Sequence, residues 1–181
     1  MALTATVYNF DITLSDVDRG VYEILKLKAA KQPSETMSYL LTRVFAYCLQ
    51  YRPGITFSKG LAEPDEPAVW AHDLTGGIEL WVEIGSPSPE RLHKATKLGA
   101  EVVVYLLKGP KNFLSQLGGK QIYRAEEIKI YAFPPKFFDE LMPLIDRRTS
   151  MVISVSDSVL YLSTAGRDFS LELTPLNDLV E

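Results

Sequence analysis

The sequence predicts an α/β (α+β) fold with an additional antiparallel sheet built from the two chain ends. Three observations predict it. From residue 37 to 107 the chain reads helix, strand, strand, strand, helix, strand. Within that stretch Val102 to Leu107 is a continuous apolar run, the pattern of a central parallel strand buried on both faces. The first thirty residues and residues 151–173 instead carry β-branched and aromatic stretches separated by turn residues, which suits hairpins.

Taken in order, Thr4 to Ile12 is a strand and Asp16 to Gly20 a turn, after which Val21 to Leu27 pairs back. Met37, Leu40, Leu41, Val44, Phe45 and Cys48 form one apolar stripe at helical spacing. Ser34, after Pro33, is the expected N-cap, which puts Glu35 in the first turn, where the helix dipole favours a carboxylate. Arg52-Pro53-Gly54 ends this helix. Ile55 to Leu61 is the next strand, followed by a stiff acidic bend, Ala62-Glu63-Pro64-Asp65-Glu66-Pro67, and a short strand at Ala68 to Ala71. Ile78 to Ile84 alternates, with Ile78, Leu80, Val82 and Ile84 on one face and Glu79, Trp81 and Glu83 on the other. Ser88 caps a helix with Pro89 at its first position. Beyond the central strand, a short helix is expected near Asn112 to Leu117, a strand at Glu127 to Phe133 and a helix at Pro135 to Ile145. Three short antiparallel strands follow, at 151–155, 159–163 and 169–173.

Residues 1–181 are expected to form one domain, within the usual range of about 50–250 residues. With 46 % hydrophobic and 10 % aromatic residues, the chain is not of the disordered class. Nineteen basic against 23 acidic residues give a net charge of −4, which excludes a strongly basic nucleic-acid binder but not a local basic groove. The single cysteine, Cys48, allows no internal disulfide and lies on the buried stripe as a small core hydrophobe. No signal segment is evident at Met1-Ala2-Leu3-Thr4, and no apolar run approaches the ~20 residues of a membrane span. The expectation is a soluble cytoplasmic protein without membrane contact.

Several chemistries lack their residues. Gly119-Lys120 has Leu114 where a phosphate-binding P-loop needs its upstream glycine, and no G-x-G-x-x-G occurs. Two histidines, His72 and His93, and one cysteine do not suit a zinc site. No nucleophile elbow accompanies them. Oxygen-ligand metals remain, because carboxylates are abundant.

The concentrated chemistry lies between the acidic bend and the helix after residue 88. Asp65 and Glu66, then Glu79 and Glu83, then Arg91, His93, Lys94 and Lys97 follow within about thirty-five residues of one another. Carboxylates on adjacent strands can hold Mg²⁺, and a nearby lysine can steady an attacking water or charge developing on a phosphate. Glu79 and Glu83 lie about 13 Å apart at ~3.3 Å per residue, too far to share one ion at ~2.1 Å. Glu83 is favoured because ligand sites gather at the carboxyl ends of parallel strands. On the helix, Leu92, Ala95, Leu98 and Gly99 define the buried side, His93 and Lys97 point outward, and Arg91 and Lys94 flank the stripe. The alternatives are ordinary: a snorkelling boundary lysine at Lys94, a solvated strand face at Glu79, a dipole-stabilised Glu35 and core roles for Trp70 and Trp81.

The motifs Pro33-Ser34-Glu35-Thr36, Phe57-Ser58-Lys59-Gly60-Leu61, Asp65-Glu66-Pro67, Leu80-Trp81-Val82-Glu83-Ile84-Gly85 and Arg91-Leu92-His93-Lys94-Ala95, with Met1 to Tyr8 and the C-terminal strands, resemble the YaeQ family of bacterial proteins over essentially the whole chain. That family is similar in its core to the PD-(D/E)XK nuclease superfamily. The resemblance implies a nuclease-like mixed sheet flanked by helices, in the order α-β-β-β-α-β. Asp65 then matches the first acidic element and Glu83 the second, while Gly85 stands where the pattern places lysine. The resemblance implies that Lys94 supplies that lysine from the following helix and that Glu35 matches the helix carboxylate of many members. The leading expectation is thus a Mg²⁺-dependent (or Mn²⁺-dependent) nuclease or nuclease-like protein. Its metal ligands would be Asp65 and Glu83, assisted by Glu66 or Glu35. Lys94, Glu83 and Asp65 would be catalytic and Arg91 a phosphate-binding residue, with nucleic acid as partner. The alternatives are an idle nuclease fold used as a regulatory or protein-binding module, and a nucleic-acid binder without chemistry.

Overall fold

The computed structural model describes residues 3–59 and 63–176. In chain order the elements are β1 (Thr6–Asp16), β2 (Val21–Lys31), α1 (Met37–Leu49), β3 (Ile55–Phe57), β4 (Val69–His72), β5 (Ile78–Ile84), α2 (Pro89–Lys97), β6 (Glu101–Leu106), α3 (Pro110–Leu117), β7 (Lys129–Ala132), α4 (Pro135–Leu141), β8 (Arg148–Ser156), β9 (Val159–Thr164) and β10 (Arg167–Glu172). They fall into two compact units, Met1–Val44 with Pro135–Thr174, and Phe45–Pro134 with Pro175–Glu181.

The first unit holds a five-stranded sheet in the order β10-β9-β8-β1-β2. Inward side chains follow the two-residue period of a half-buried strand: Phe10, Ile12 and Leu14 on β1, Leu25, Leu27 and Ala29 on β2, Met151, Ile153 and Val155 on β8. β1 and β2 pair antiparallel along their whole length. The chain ends do share this sheet, but it is not wholly antiparallel: β8 runs parallel to β1, from Asn9 opposite Arg148 to Asp16 opposite Val155. The reason lies at one end of the sheet. Asp18, in the β1–β2 turn, accepts the backbone N–H groups of Asp157 (2.8 Å) and Ser158 (2.9 Å) in the β8–β9 turn. The two hairpin turns are thereby held side by side, which requires β1 and β8 to run the same way. Asp157 and Ser158 both have positive φ, as a two-residue turn matched to strand twist demands.

α1 begins two residues later than expected from a Ser34 cap. Thr36 Oγ1 accepts Tyr39 N–H at 3.1 Å and is the N-cap. The expected stripe is buried from Leu40 onward, but so are Thr42 and Arg43, so the helix is enclosed on nearly its whole circumference.

The second unit holds the other sheet, in the order β3-β4-β5-β6-β7, with antiparallel pairing from β3 to β5 and parallel pairing from β5 to β7. β6 is the central, doubly covered strand that its apolar run predicts. On one face Trp81, Val102, Val104, Ile130, Leu92 and Ala95 of α2, and Phe113 of α3 form one buried cluster. On the opposite face the Tyr105 ring stacks on Phe133 at 5.6 Å, and its hydroxyl accepts Gln50 Nε2–H at 2.9 Å. On β5 the face bearing Glu79, Trp81 and Glu83 is open only at Glu79: Leu80 through Ile84 are all buried, because α2 covers the side bearing Trp81 and Glu83.

Smaller differences have local causes. The strand expected over Ile55–Leu61 ends at Phe57, and its last two positions lie outside the described residues. The helix expected to reach Ile145 stops at Leu141, where a 3₁₀ turn over Met142–Leu144 takes over, since Pro143 has no N–H for an α-helical bond. Among the described residues no helix is long and apolar enough to cross a membrane.

Candidate functional site

The second unit brings three segments together at the carboxyl end of β5. The acidic bend comes first. Glu66 N–H donates to Glu63 C=O at 3.1 Å, and the Glu66 carboxylate accepts Lys59 N–H at 3.0 Å. Ser58 Oγ donates to Pro67 C=O, and Ala68 N–H donates to Val82 C=O at 2.9 Å, so the bend feeds directly onto the sheet beside β5.

Glu83 is next to last in β5 and only 6 % exposed. Its Oε1 accepts Trp81 Nε1–H at 2.7 Å and Arg91 Nε–H at 2.6 Å. Trp81 lies two residues back on the same strand face, which is why its ring edge reaches the carboxylate. Burial pushes the Glu83 carboxyl above the ordinary glutamate range, and the Trp81 and Arg91 donors only partly oppose it. Gly85 then turns the chain away at φ +92, with its N–H on Tyr105 C=O at 2.9 Å.

α2 supplies the cations. Ser88 Oγ accepts Arg91 N–H at 3.2 Å, Pro89 occupies the first turn, and Leu92 and Ala95 are wholly buried. This seating turns Arg91 inward. Its guanidinium donates to Glu83, to Pro64 C=O, and to Glu66 C=O at 2.6 Å, and lies 5.9 Å from the Trp81 ring centre. One turn further on, Lys94 Nζ donates to Asp65 Oδ1 at 3.2 Å, with the lysine side chain 64 % and the aspartate 90 % exposed. This pair sits in solvent and is weak.

The structure thus gathers Asp65, Glu66, Glu83, Arg91 and Lys94, each linked to the next by a hydrogen bond or through the bend's backbone. Glu35 is differently engaged. In the first unit its two oxygens accept Arg43 Nε–H (2.8 Å) and Arg43 Nη2–H (3.0 Å), both buried, and Gln32 N–H (2.9 Å), part-buried. Two partners escaped the sequence reading. Trp81 as a donor to Glu83 was visible in principle as an i, i+2 pair on one strand face. The bend carbonyls that receive Arg91 carry no signal in residue type at all. Trp70 packs on Trp81 at 6.3 Å and on His72 at 4.6 Å, and His93 Nδ1 accepts Tyr123 N–H at 3.1 Å.

Comparison with known proteins fits this arrangement to a family. The chain is 28 % identical to the YaeQ protein of Escherichia coli (strain K12) over 96 % of its own length and 97 % of that protein's. It is 26 % identical to the YaeQ protein of Salmonella typhi, at the same coverage. The crystal structure of YaeQ from Pseudomonas syringae superposes with a TM-score of 0.87 at 26 % identity, covering 95 % of this chain and 96 % of that one. That from Xanthomonas axonopodis pv. citri gives 0.85 at 27 %, covering 93 % and 96 %. The family model described as YaeQ protein matches residues 1–173, and the chain belongs to the YaeQ family.

Proposed function

We propose that this chain is a nuclease-like module of the PD-(D/E)XK type that binds phosphodiester groups without cleaving them, in the cytoplasm. The observation that carries the reading is the guanidinium of Arg91 on Glu83. In this superfamily pattern the strand-end glutamate is a metal ligand, and Mg²⁺ or Mn²⁺ is the ion such a site takes. The donors of this chain do not fit a resident ion. Glu83 Oε1 already accepts two N–H groups, one of them cationic, which leaves an ion only Oε2 of that carboxylate. The Glu66 carboxylate faces Lys59 N–H, Glu35 is taken up by Arg43, and no three His, Cys, Asp or Glu side chains converge among the described residues. Gly85, at the lysine position of the pattern, has a φ that side-chain-bearing residues rarely adopt.

What remains is recognition. Lys94 is exposed and held only by a solvated aspartate, so an incoming phosphate can displace Asp65 at little cost. Labelled DNA and RNA oligonucleotides test this by anisotropy. The expected result is binding that weakens steeply with salt, loses affinity in Lys94→Ala, and shows no cleavage with Mg²⁺ or Mn²⁺. Absence of binding, or binding indifferent to salt, overturns it.

The order Asp65, Glu83, Lys94, with α2 delivering the lysine to the aspartate, favours a second reading: Mg²⁺- or Mn²⁺-dependent phosphodiester hydrolysis. Cleavage that needs the divalent ion and disappears in Glu83→Gln and Lys94→Ala would establish it over the first.

A further inference from the structure

We propose that Arg91 is itself the resident cation of this site: a guanidinium latch that ties the acidic bend to β5 and keeps divalent ions out. The proposal rests on the preceding reading of Glu83 and the bend as the site. It departs from the expectation that Arg91 holds a substrate phosphate.

Three nitrogens of one guanidinium each donate to a different oxygen. Nε serves the Glu83 carboxylate, Nη1 the Pro64 carbonyl and Nη2 the Glu66 carbonyl. These acceptors come from a strand end and a bend 25–27 residues away in sequence, so no local turn holds them together. One carboxylate and two carbonyls are hard oxygen donors of the kind that magnesium, manganese or calcium also takes. A planar fork suits them better in this spacing. Adjacent ligands of an octahedral ion at ~2.1 Å lie only about 3 Å apart, whereas here each oxygen stands off on its own N–H, fanned around a rigid plane. The bend would have to contract for a small ion to replace the arginine.

The latch is built to stay shut. Arg91 precedes wholly buried Leu92 and follows the Ser88 cap, so its backbone is fixed by both the helix start and the core. The Trp81 ring lies beneath the guanidinium and donates to the same glutamate oxygen, which leaves that oxygen no open side toward Arg91. Lys94, three residues on, is solvated and exchangeable by contrast. The helix therefore divides its cations: one locked inward as structure, one outward for a ligand. A divalent ion can take Glu83 Oε1 together with the Pro64 and Glu66 carbonyls only by expelling a partly buried positive charge and releasing residues 64–66.

Manganese binding by calorimetry, with tryptophan emission as a second readout, tests the latch in the wild type, Arg91→Ala, Arg91→Lys and the double variant Arg91→Ala/Glu83→Gln. Circular dichroism establishes which variants are folded. A latch closed about nine-tenths of the time or more weakens apparent affinity about tenfold or more. Arg91→Ala is therefore expected to bind Mn²⁺ at least about tenfold more tightly than the wild type. The double variant is expected to lose that gain. Arg91→Lys keeps one charge but loses the fork, and should fall between. If Arg91→Ala does not fold, Arg91→Lys decides alone. Wild-type affinity equal to that of the folded Arg91 variants overturns the proposal, as does a gain that survives Glu83→Gln. Oligonucleotide binding by the wild type is scored separately, so its absence would sink the phosphodiester reading while the Mn²⁺ series still judges the latch.

Discussion

Replacing Glu35 with alanine separates a structural carboxylate from a site carboxylate. The Glu35 and Arg43 side chains retain only 1 % and 5 % of their exposure. The carboxylate makes a two-toothed bond to the guanidinium, at 2.8 and 3.0 Å, and takes Gln32 N–H at 2.9 Å, while Arg43 also donates to Ala30 C=O at 2.8 Å. Truncation at residue 35 strands a buried positive charge and an N–H at the approach to α1. Breaking a buried pair from one side costs about 3–5 kcal/mol. At about 2–4 °C per kcal/mol for a chain of this size, the melting temperature should fall by about 6–20 °C. Urea denaturation and differential scanning calorimetry measure both figures. Substituting both partners, Glu35→Leu with Arg43→Met, should recover most of the loss, because an apolar pair of similar volume needs no charge compensation. A loss below about 1 kcal/mol, or an unchanged melt with lost oligonucleotide or metal binding, would refute the structural assignment, since a buried pair cannot be that cheap to break.

Three further outcomes can be checked. Leu92→Ala removes a wholly buried side chain of α2 from the Trp81 cluster; it should cost about 2–5 kcal/mol in urea unfolding, and a loss under about 1 kcal/mol would mean that α2 is not seated as described. Glu83, raised above its ordinary 4.5, binds more protons folded than unfolded between that value and its raised one, so its contribution to stability falls as pH rises through this window. Glu101, which Lys129 and Arg52 hold low against the opposing effect of burial, works in the opposite sense, so the comparison to make is wild type against Glu83→Gln: the variant should lose the Glu83 slope, and identical stability–pH curves would contradict the shift. Cys48 is wholly buried with its thiol pushed up to about 12, so thiol labelling of the native protein should proceed only at the unfolding rate, and rapid labelling would place it elsewhere.

Much of the second unit was legible because its signals are local. The unbroken Val102–Leu107 run announces a doubly covered parallel strand, found at Glu101–Leu106, and Ser88-Pro89 announces a helix start, and both hold. Where the structure departs from the local pattern, the deciding partner is distant in sequence. The alternation puts Glu79, Trp81 and Glu83 on one strand face but does not show where that face closes, because the helix that buries Trp81 and Glu83 starts only after the strand ends. The local pattern points to Ser34 as the cap because the pull of Arg43, eight residues on, upon Glu35 is invisible in it. The parallel course of β8 beside β1 depends on a turn-to-turn bond spanning most of the chain. For the site, residue types placed Asp65, Glu83 and Lys94 together but could not say what Arg91 holds, because two of its acceptors are backbone carbonyls. A cation flanking a buried stripe looks the same whether it faces solvent or a peptide oxygen.

The pairing of Asn9 with Arg148 also sets an order of assembly. During synthesis the β1–β2 hairpin emerges early, yet its neighbour in the sheet is made some 139 residues afterwards. At about 5–20 residues per second that is a wait of about 7–28 s. All the strands of the second sheet lie between those two partners in sequence and are complete before β8 leaves the ribosome. The first hairpin must spend that interval with an apolar face and an edge that its partner strand has yet to cover.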